Sequence, residues 1–226
     1  MVAKLSVTNK RMKIIVTGST GTVGSELVRQ AVADNDIEEV ILLARNQSEI
    51  KHPRIRQIIH KHFTDYSGLE NIFKEADACI WCLGISQTTV SRGDYFAITY
   101  DYAVAAAKAI LAANPSITFL FLSGQGADSS ETSKVRFAKV KGQTENALRA
   151  MNFKQLLIFR PGGIYPVTKN RNLTVNKKIE LALIRLMRLI APWTVVNTDV
   201  LAKAMLKSLK QDVGQVILSH KMIRAL

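Results

Sequence analysis

The chain has 226 residues, is 47% hydrophobic and 22% charged, and carries 31 Lys and Arg against 18 Asp and Glu. That length and apolar content exclude a disordered segment and suit one domain able to bury its own core, while two cysteines are too few for a disulfide scaffold. The formal net charge of +13 favours anionic partners: phosphorylated ligands, nucleic acid or anionic lipid.

Residues 1–11 form a short basic leader, free of acids, without the apolar core of a secretory signal. No apolar run reaches the length of a membrane span, which predicts a soluble protein of the cytoplasm; a basic leader is also compatible with an organelle signal. "MKIIVTG", Met12 to Gly18, is a β-branched run ending in glycine and predicts a buried strand. The helix after it places Val23, Leu27, Val28 and Ala31 on one face. "EEVILLAR" predicts a second strand, "RIRQIIHKHF" a third, "GLENIFKEA" a short helix and "DACIWCLG" a fourth strand. "DYFAITYDYAVAAAKAILAANP" predicts a long helix stopped at Asn114 and Pro115. "ITFLFLSG" predicts a fifth strand, "SKVRFAKVKGQTENALRAM" a helix despite Gly142, and "FKQLLIFRPGG" a sixth strand ending in a turn. Two helical patterns, "NKKIELALIRLMRLI" and "TDVLAKAMLKSLK", precede a last strand, "QVILS".

Strands alternating with helices predict an α/β fold: a doubly wound parallel sheet with a small helical extension at the C-terminal end. Residues 12–226 read as one domain, with 161–226 on the substrate side. Cys79 and Cys82 have a C-x-x-C spacing, but in a strand they point to opposite faces, and no second ligand cluster completes a metal site. His60 and His62 alone make no metal site, so none is expected.

The strongest chemical signal is "TGSTGTVG", Thr17 to Gly24. Gly18 permits the tight exit from the strand, Gly21 lets backbone approach a pyrophosphate, and Gly24 lets the helix pack on the sheet. Ser19, Thr20, Thr22 and Val23 complete a loop whose amides and helix N-terminus favour phosphate. Arg45 stands at the end of the second strand, where an acid would meet the ribose diol of NAD. A guanidinium there can hold a 2′-phosphate through its fork of donors, which favours NADP over NAD. Asp65 and Tyr66 follow the third strand, where a carboxylate could accept from the adenine amino group and a ring could flank the base; Asp65 also suits a turn into the next helix. Leu83 and Gly84 end the fourth strand where the dinucleotide would pass close to backbone.

"TGSTGTVG", "CLGISQT", "FLSGQGAD", "KVKGQTENAL" and "FRPGGIY" occur in this order. In this series the chain resembles the short-chain dehydrogenase/reductase superfamily, most closely its atypical branch related to the Tat-interacting oxidoreductase-like proteins. The resemblance spans nearly the whole chain and implies a Rossmann fold, NADP binding and oxidoreductase activity. It also implies a Tyr-x-x-x-Lys pair, in which lysine holds the nicotinamide ribose and tyrosine passes a proton. Lys141 matches the lysine, whereas Phe137 takes the tyrosine position and has no proton to give. Ser123 is matched to the hydroxyl near the end of the fifth strand, and Pro161 and Gly162 to the wall near the nicotinamide. A positioned acid or base is worth roughly 10²–10⁴-fold in rate. The expected function is therefore NADP(H) binding with weak or non-standard reductase activity; the resemblance leaves open a route in which solvent supplies the proton to a conjugated acceptor. The alternative is a non-catalytic redox sensor or scaffold for a protein partner. Tyr100, Tyr102 and Tyr165 are further candidate proton sources.

The C-terminal portion is rich in Lys and Arg, but they are not interleaved with aromatics and no nucleic-acid motif is present, which argues against nucleic-acid binding. The broad apolar face of "NKKIELALIRLMRLI" is expected to cover the substrate side of the sheet; contact with a membrane surface is the lesser reading.

Overall fold

Consecutive runs of aliphatic residues leave several strands with no solvent face. Ile14, Ile15 and Val16 of the first strand are all fully buried, so both sides of that strand must be covered. The computed structural model describes residues 11–168, 175–212 and 214–226. Apart from Arg11, the basic leader lies outside the described residues.

In chain order the elements are β1 (Met12–Thr17), α1 (Thr22–Ala33), β2 (Ile37–Ala44), β3 (Ile55–Ile59), α2 (Glu70–Glu75), β4 (Ala78–Trp81), α3 (Arg92–Phe96), α4 (Tyr102–Ala113), β5 (Thr118–Leu122) and α5 (Arg136–Arg149). There follow β6 (Gln155–Arg160), β7 (Gly163–Tyr165), α6 (Val175–Ile190), β8 (Val195–Asn197), α7 (Thr198–Ser208), β9 (Gln215–Ser219) and α8 (His220–Ala225). Seven strands form one sheet in the order β3-β2-β1-β4-β5-β6-β9, and every pairing is parallel. The chain runs outward from β1 to β3, then crosses back to β4 and builds the other half. This is the doubly wound Rossmann arrangement, with its topological switch between β1 and β4.

Alternation along each strand divides the core in two. Ile14, Val16, Leu42, Ile80 and Leu157 pack with Leu27 and Val28 of α1 and with Leu201 and Met205 of α7. Ile15, Ile41, Cys79, Trp81, Phe119 and Ile158 pack on the other face with Phe73 of α2, Ala106 and Ile110 of α4, and Leu148 of α5. Cys79 and Cys82 fall in opposite halves and both are free. Among the described residues there is no cluster of three potential metal ligands.

Three features were not legible in the sequence. A π-helical turn, Ala97–Asp101, joins α3 to α4 into one run from Arg92 to Ala113. By length and composition that run could cross a membrane, but it lies on the sheet with Tyr95, Thr99, Ala103 and Ile110 buried. The turn expected after β6 instead contains β7, which pairs in parallel with β8 as a separate ribbon. A final helix, α8, starts at the cap Ser219, whose hydroxyl accepts from the Met222 amide. The expectation for α6 is corrected in part. It packs beside β7 and β8, yet Leu183, Leu186, Leu189 and Ile190 remain exposed, because a three-residue ribbon is too narrow to cover so broad an apolar face.

Gly142 sits inside α5 for a packing reason. A Cβ there would lie 1.7 Å from the carbonyl oxygen of Asp128, in the loop between β5 and α5. The Asp128 amide also donates to the Ala138 carbonyl at 2.9 Å, so the loop is laid directly on the helix. Gly142→Ala should therefore destabilise the protein by about 2 kcal/mol or more, although alanine is the better helix former by ~1 kcal/mol. Urea denaturation measures this, and an unchanged or raised midpoint would contradict the packing described.

Candidate cofactor and catalytic site

The loop from β1 to α1 is shaped by backbone contacts that admit no side chain. Gly18 has φ +68°, and a Cβ on it would lie 2.6 Å from the Cys82 carbonyl oxygen at the exit of β4. A Cβ on Gly24 would lie 2.2 Å from the Gly18 carbonyl oxygen, so the first turn of α1 rests on the loop. The Gly21 amide closes the turn by donating to the Gly18 carbonyl at 2.9 Å. The Leu83 amide donates to Thr17 Oγ1 at 3.3 Å, which ties the ends of β1 and β4 together.

Gly21 caps α1 without a side-chain hydrogen bond, and the first turn holds no acid. The start of this helix therefore keeps its partial positive charge for an external anion. The Ser19 hydroxyl is buried beside it with no hydrogen-bond partner among the described residues. Thr20 and Thr22 are exposed, whereas the Val23 side chain belongs to the core. An orphan hydroxyl, free helix amides and a glycine-lined approach at the β1–β4 switch fit a dinucleotide pyrophosphate.

The other residues expected to meet the dinucleotide also follow strand ends on this carboxyl edge. Thr17 pairs with Leu43, which puts Arg45 just beyond the end of β2 beside the glycine loop. Arg45 is exposed and has no ion pair or hydrogen bond among the described residues. Around Gly84 there is open space. Asp65 is exposed and forms a local turn, accepting from the Ser67 amide at 3.0 Å and the Ser67 hydroxyl at 2.7 Å. Those bonds hold its carboxyl below the usual carboxylate range. Tyr66 differs from expectation. Its ring is buried, stacks on His60 at 4.9 Å and packs against Phe73, and burial pushes its phenol up. Its aromatic face is thus used by the core rather than offered to a base.

At the other half of the sheet, a pocket of about 330 Å³ gathers Ser123, Gly124, Gln125, Phe137, Pro161 and Gly162. The β5–β6 pairing continues past the strands: the Ser123 amide donates to Phe159 at 2.8 Å and the Gln125 amide to Pro161 at 2.7 Å. Gly162 is pinned from behind. A Cβ there would lie 2.2 Å from the Thr194 carbonyl oxygen, and its amide donates to His220 Nδ1 at 2.9 Å. A larger groove of about 970 Å³ runs between α2 and α4, lined by Asp65, Tyr66 and Lys108, and touches none of these residues.

Phe137 and Gly124 are fitted to one another. A Cβ on Gly124 would lie 2.6 Å from Cζ of Phe137, so the ring tip fills the space a second hydroxyl residue would need. The Phe137 amide donates to Gln87 Oε1 at 2.9 Å. Ser123 is buried and donates its hydroxyl to the Glu145 carboxylate. Glu145 is fully buried and is gripped by Arg160, whose Nε lies 3.0 and 3.1 Å from its two oxygens. Glu145 and Arg160 went unnoticed in the sequence. Glu145 could have been found, since it lies one helical turn after Lys141 on the same face; its partners depend on the sheet.

Lys141 stands behind this pocket, with Nζ donating to the Leu122 carbonyl at 2.8 Å and lying 4.5 Å from the centre of the Phe121 ring. Burial pulls its pKa down to about 8, against the opposing attraction of Glu145 and Cys82. None of the candidate substitute tyrosines lines the pocket: Tyr100 stacks on Phe96 at 4.9 Å, Tyr102 packs on Phe63, and Tyr165 lies under Arg188.

A buried ammonium that contacts one carbonyl costs stability. Lys141 has a folded pKa near 8 against an ordinary value of 10.5, so between those values the folded chain binds fewer protons than the unfolded one. The penalty is full below pH 8 and fades as pH rises to 10.5. Lys141→Met should stabilise the free protein at pH 7 by up to ~3 kcal/mol, and the gain should shrink towards pH 10.5. Urea denaturation across that range is the measurement; destabilisation at pH 7, or a gain that does not change with pH, contradicts it.

The NAD(P)H-binding family model matches residues 18–182, from the first glycine of the loop into α6. Protein FMP52, mitochondrial, of Kluyveromyces lactis is 27% identical over 158 residues, covering 68% of this chain and 67% of that protein. Protein HTATIP2 of Rattus norvegicus is 24% identical over 152 residues, covering 66% of this chain and 61% of its own. The chain thus spans about two thirds of the length of these relatives. Among solved structures, UDP-glucuronic acid 4-epimerase from Bacillus cereus in complex with NAD superposes with a TM-score of 0.68 over 92% of this chain and 78% of that one, at 13% identity. That likeness is one of fold. With a glycine loop at the β1–β4 switch of a seven-stranded parallel sheet, the chain belongs to the NAD(P)H-binding family, in the atypical branch of the short-chain dehydrogenases/reductases.

Proposed function

We propose that the protein is an NADP(H)-dependent reductase that works without a protein proton donor. The observation that carries this reading is the composition of the pocket at β5 and β6. Behind it a buried lysine donates to the Leu122 carbonyl, while the residue one turn before that lysine is a phenylalanine seated on Gly124.

In this reading the pyrophosphate lies on the start of α1, and the free guanidinium of Arg45 takes the 2′-phosphate. Lys141 turns from the Leu122 carbonyl to the nicotinamide ribose. The cofactor, when bound, supplies hydride. Phe137, Pro161 and Gly162 shape an apolar wall that lays a flat acceptor against it. Since Ser123 already donates to Glu145, no side-chain hydroxyl is left to polarise a simple carbonyl. Acceptors that delocalise charge and take their proton from water, such as quinones and flavins, suit this chemistry better. The same engaged Ser123 favours, as the second reading, a protein that binds NADP(H) without turnover and reports its redox state to a protein partner. The compartment is open to the same inquiry: the sequence favours the cytoplasm, whereas the Kluyveromyces relative carries a mitochondrial name.

NADPH oxidation measured against quinones, flavins and small carbonyls separates these possibilities. The reductase reading expects turnover with the conjugated acceptors, little with carbonyls, and loss of turnover in Lys141→Ala. Tight NADPH binding with no turnover on any acceptor, together with a partner affinity that differs between the two redox forms, would support the sensor instead. Phe137→Tyr should raise carbonyl reduction by less than the full 10²–10⁴ of a positioned acid, because its hydroxyl must first move off Gly124. Arg45→Ala should weaken NADP binding about tenfold or more, roughly 1.5 kcal/mol, and leave NAD binding unchanged. Equal losses for both cofactors would remove Arg45 from the 2′-phosphate.

A further inference from the structure

A third cleft, of about 420 Å³, opens between the starts of α3 and α5 and is lined by Gln87, Thr88, Arg92, Lys134, Val135 and Arg136. Three of the six carry positive charge and none carries negative charge. Among the described residues, Arg92, Lys134 and Arg136 make no ion pair, although acids pair with other Lys and Arg side chains of this protein. Asp94, on α3, is occupied locally with Ser91, whose hydroxyl donates to its carboxylate at 2.7 Å.

Arg136 is the telling residue. Its guanidinium stands 5.9 Å from the centre of the buried Tyr95 ring, and its Nη1 is buried with no hydrogen-bond partner among the described residues. A guanidinium cannot shed its charge, so its unpaired donors favour an anionic acceptor entering the cleft that Arg136 lines. Gln87 adds direction. Its carbonyl oxygen is taken by the Phe137 amide at 2.9 Å, which leaves its amide NH₂ as a donor. α5 has no acid in its first turn and no side-chain cap on its N-cap residue, so the start of that helix adds the same sign.

The cleft also has a meaningful address. Gln87 lines it and holds the backbone of Phe137, whose ring lines the pocket beside Ser123. We propose that this cleft binds the acidic group, carboxylate or phosphate, of a small-molecule acceptor whose conjugated part lies against Phe137. Arg136 and Arg92 hold the acid as paired donors, Gln87 orients it, and Lys134 adds charge from the rim. The role of this acid in reduction rests on the function proposed above; its binding does not.

The test titrates phenyl phosphate, benzoate and neutral benzamide by calorimetry into the full chain saturated with NADP, at physiological salt. The two anions should bind and benzamide should not. Arg92→Gln combined with Arg136→Gln should weaken phenyl phosphate at least tenfold with NADP affinity unchanged, and Arg136→Lys should retain part of the binding. Lys203→Gln, an exposed charge on α7, should change nothing and controls for diffuse attraction to a basic protein. If the double variant loses its fold, Lys134→Gln and Gln87→Leu supply the same comparison, each with a several-fold loss. Equal binding of benzamide, or undiminished binding to the variants, overturns the proposal. So does a single-stranded oligonucleotide that displaces phenyl phosphate and binds far more tightly, which would make the cleft a nucleic-acid surface. Should NADP itself fail to bind the unmodified chain, the cofactor reading falls, and titration of the free chain and its variants still decides the cleft.

Discussion

The close approach of three backbone segments at the start of the sheet governs what this protein can be. The exit of β1, the exit of β4 and the first turn of α1 meet so tightly that a Cβ on Gly18 or Gly24 would fall inside a neighbouring carbonyl. That contact leaves a helix N-terminus, an orphaned serine hydroxyl and no side chain between them and the crevice. A helix start free for an anion follows from the geometry of the turn, whatever chemistry is done elsewhere along the edge.

The opposite end of the edge is closely packed. Phe137 is fitted to its surroundings: its ring occupies room left by Gly124, and Ser123 is bound into a buried cluster with Glu145 and Arg160. A buried carboxylate gripped by a guanidinium is rigid and costly to break, so this cluster holds Ser123 firmly at the edge of the pocket. Lys141, one turn before Glu145, keeps its place against the desolvation that lowers its pKa. Phe137, one turn before Lys141, has no proton to give, and the cleft beyond it is lined by three positive charges that make no ion pair among the described residues.

The fold was legible because its signals are local. Aliphatic runs such as those of β1 and β5, the alanine-rich α4 and the glycine loop each declare their state within a dozen residues. The parallel order follows from strands and helices taking turns. What the sequence hid depends on distant pairing. β7 is three residues long and exists only because β8 lies beside it. Tyr66 reads as a loop aromatic next to a ligand, yet Phe63, Phe73 and His60 draw it into the core. Gly142 looks like a flaw in a helix until the Asp128 carbonyl is placed against it. Arg136 reads as one more surface charge, and only the burial of its Nη1 without an acceptor marks it out.

The central claim is that the β1–α1 turn holds a nicotinamide dinucleotide. A calorimetric titration of the purified chain with NADP and with NAD tests it most directly. The function proposed above predicts one site per chain with about micromolar affinity, roughly −8 kcal/mol, for NADP, and weaker binding of NAD. No measurable heat with either dinucleotide at millimolar concentration would contradict it.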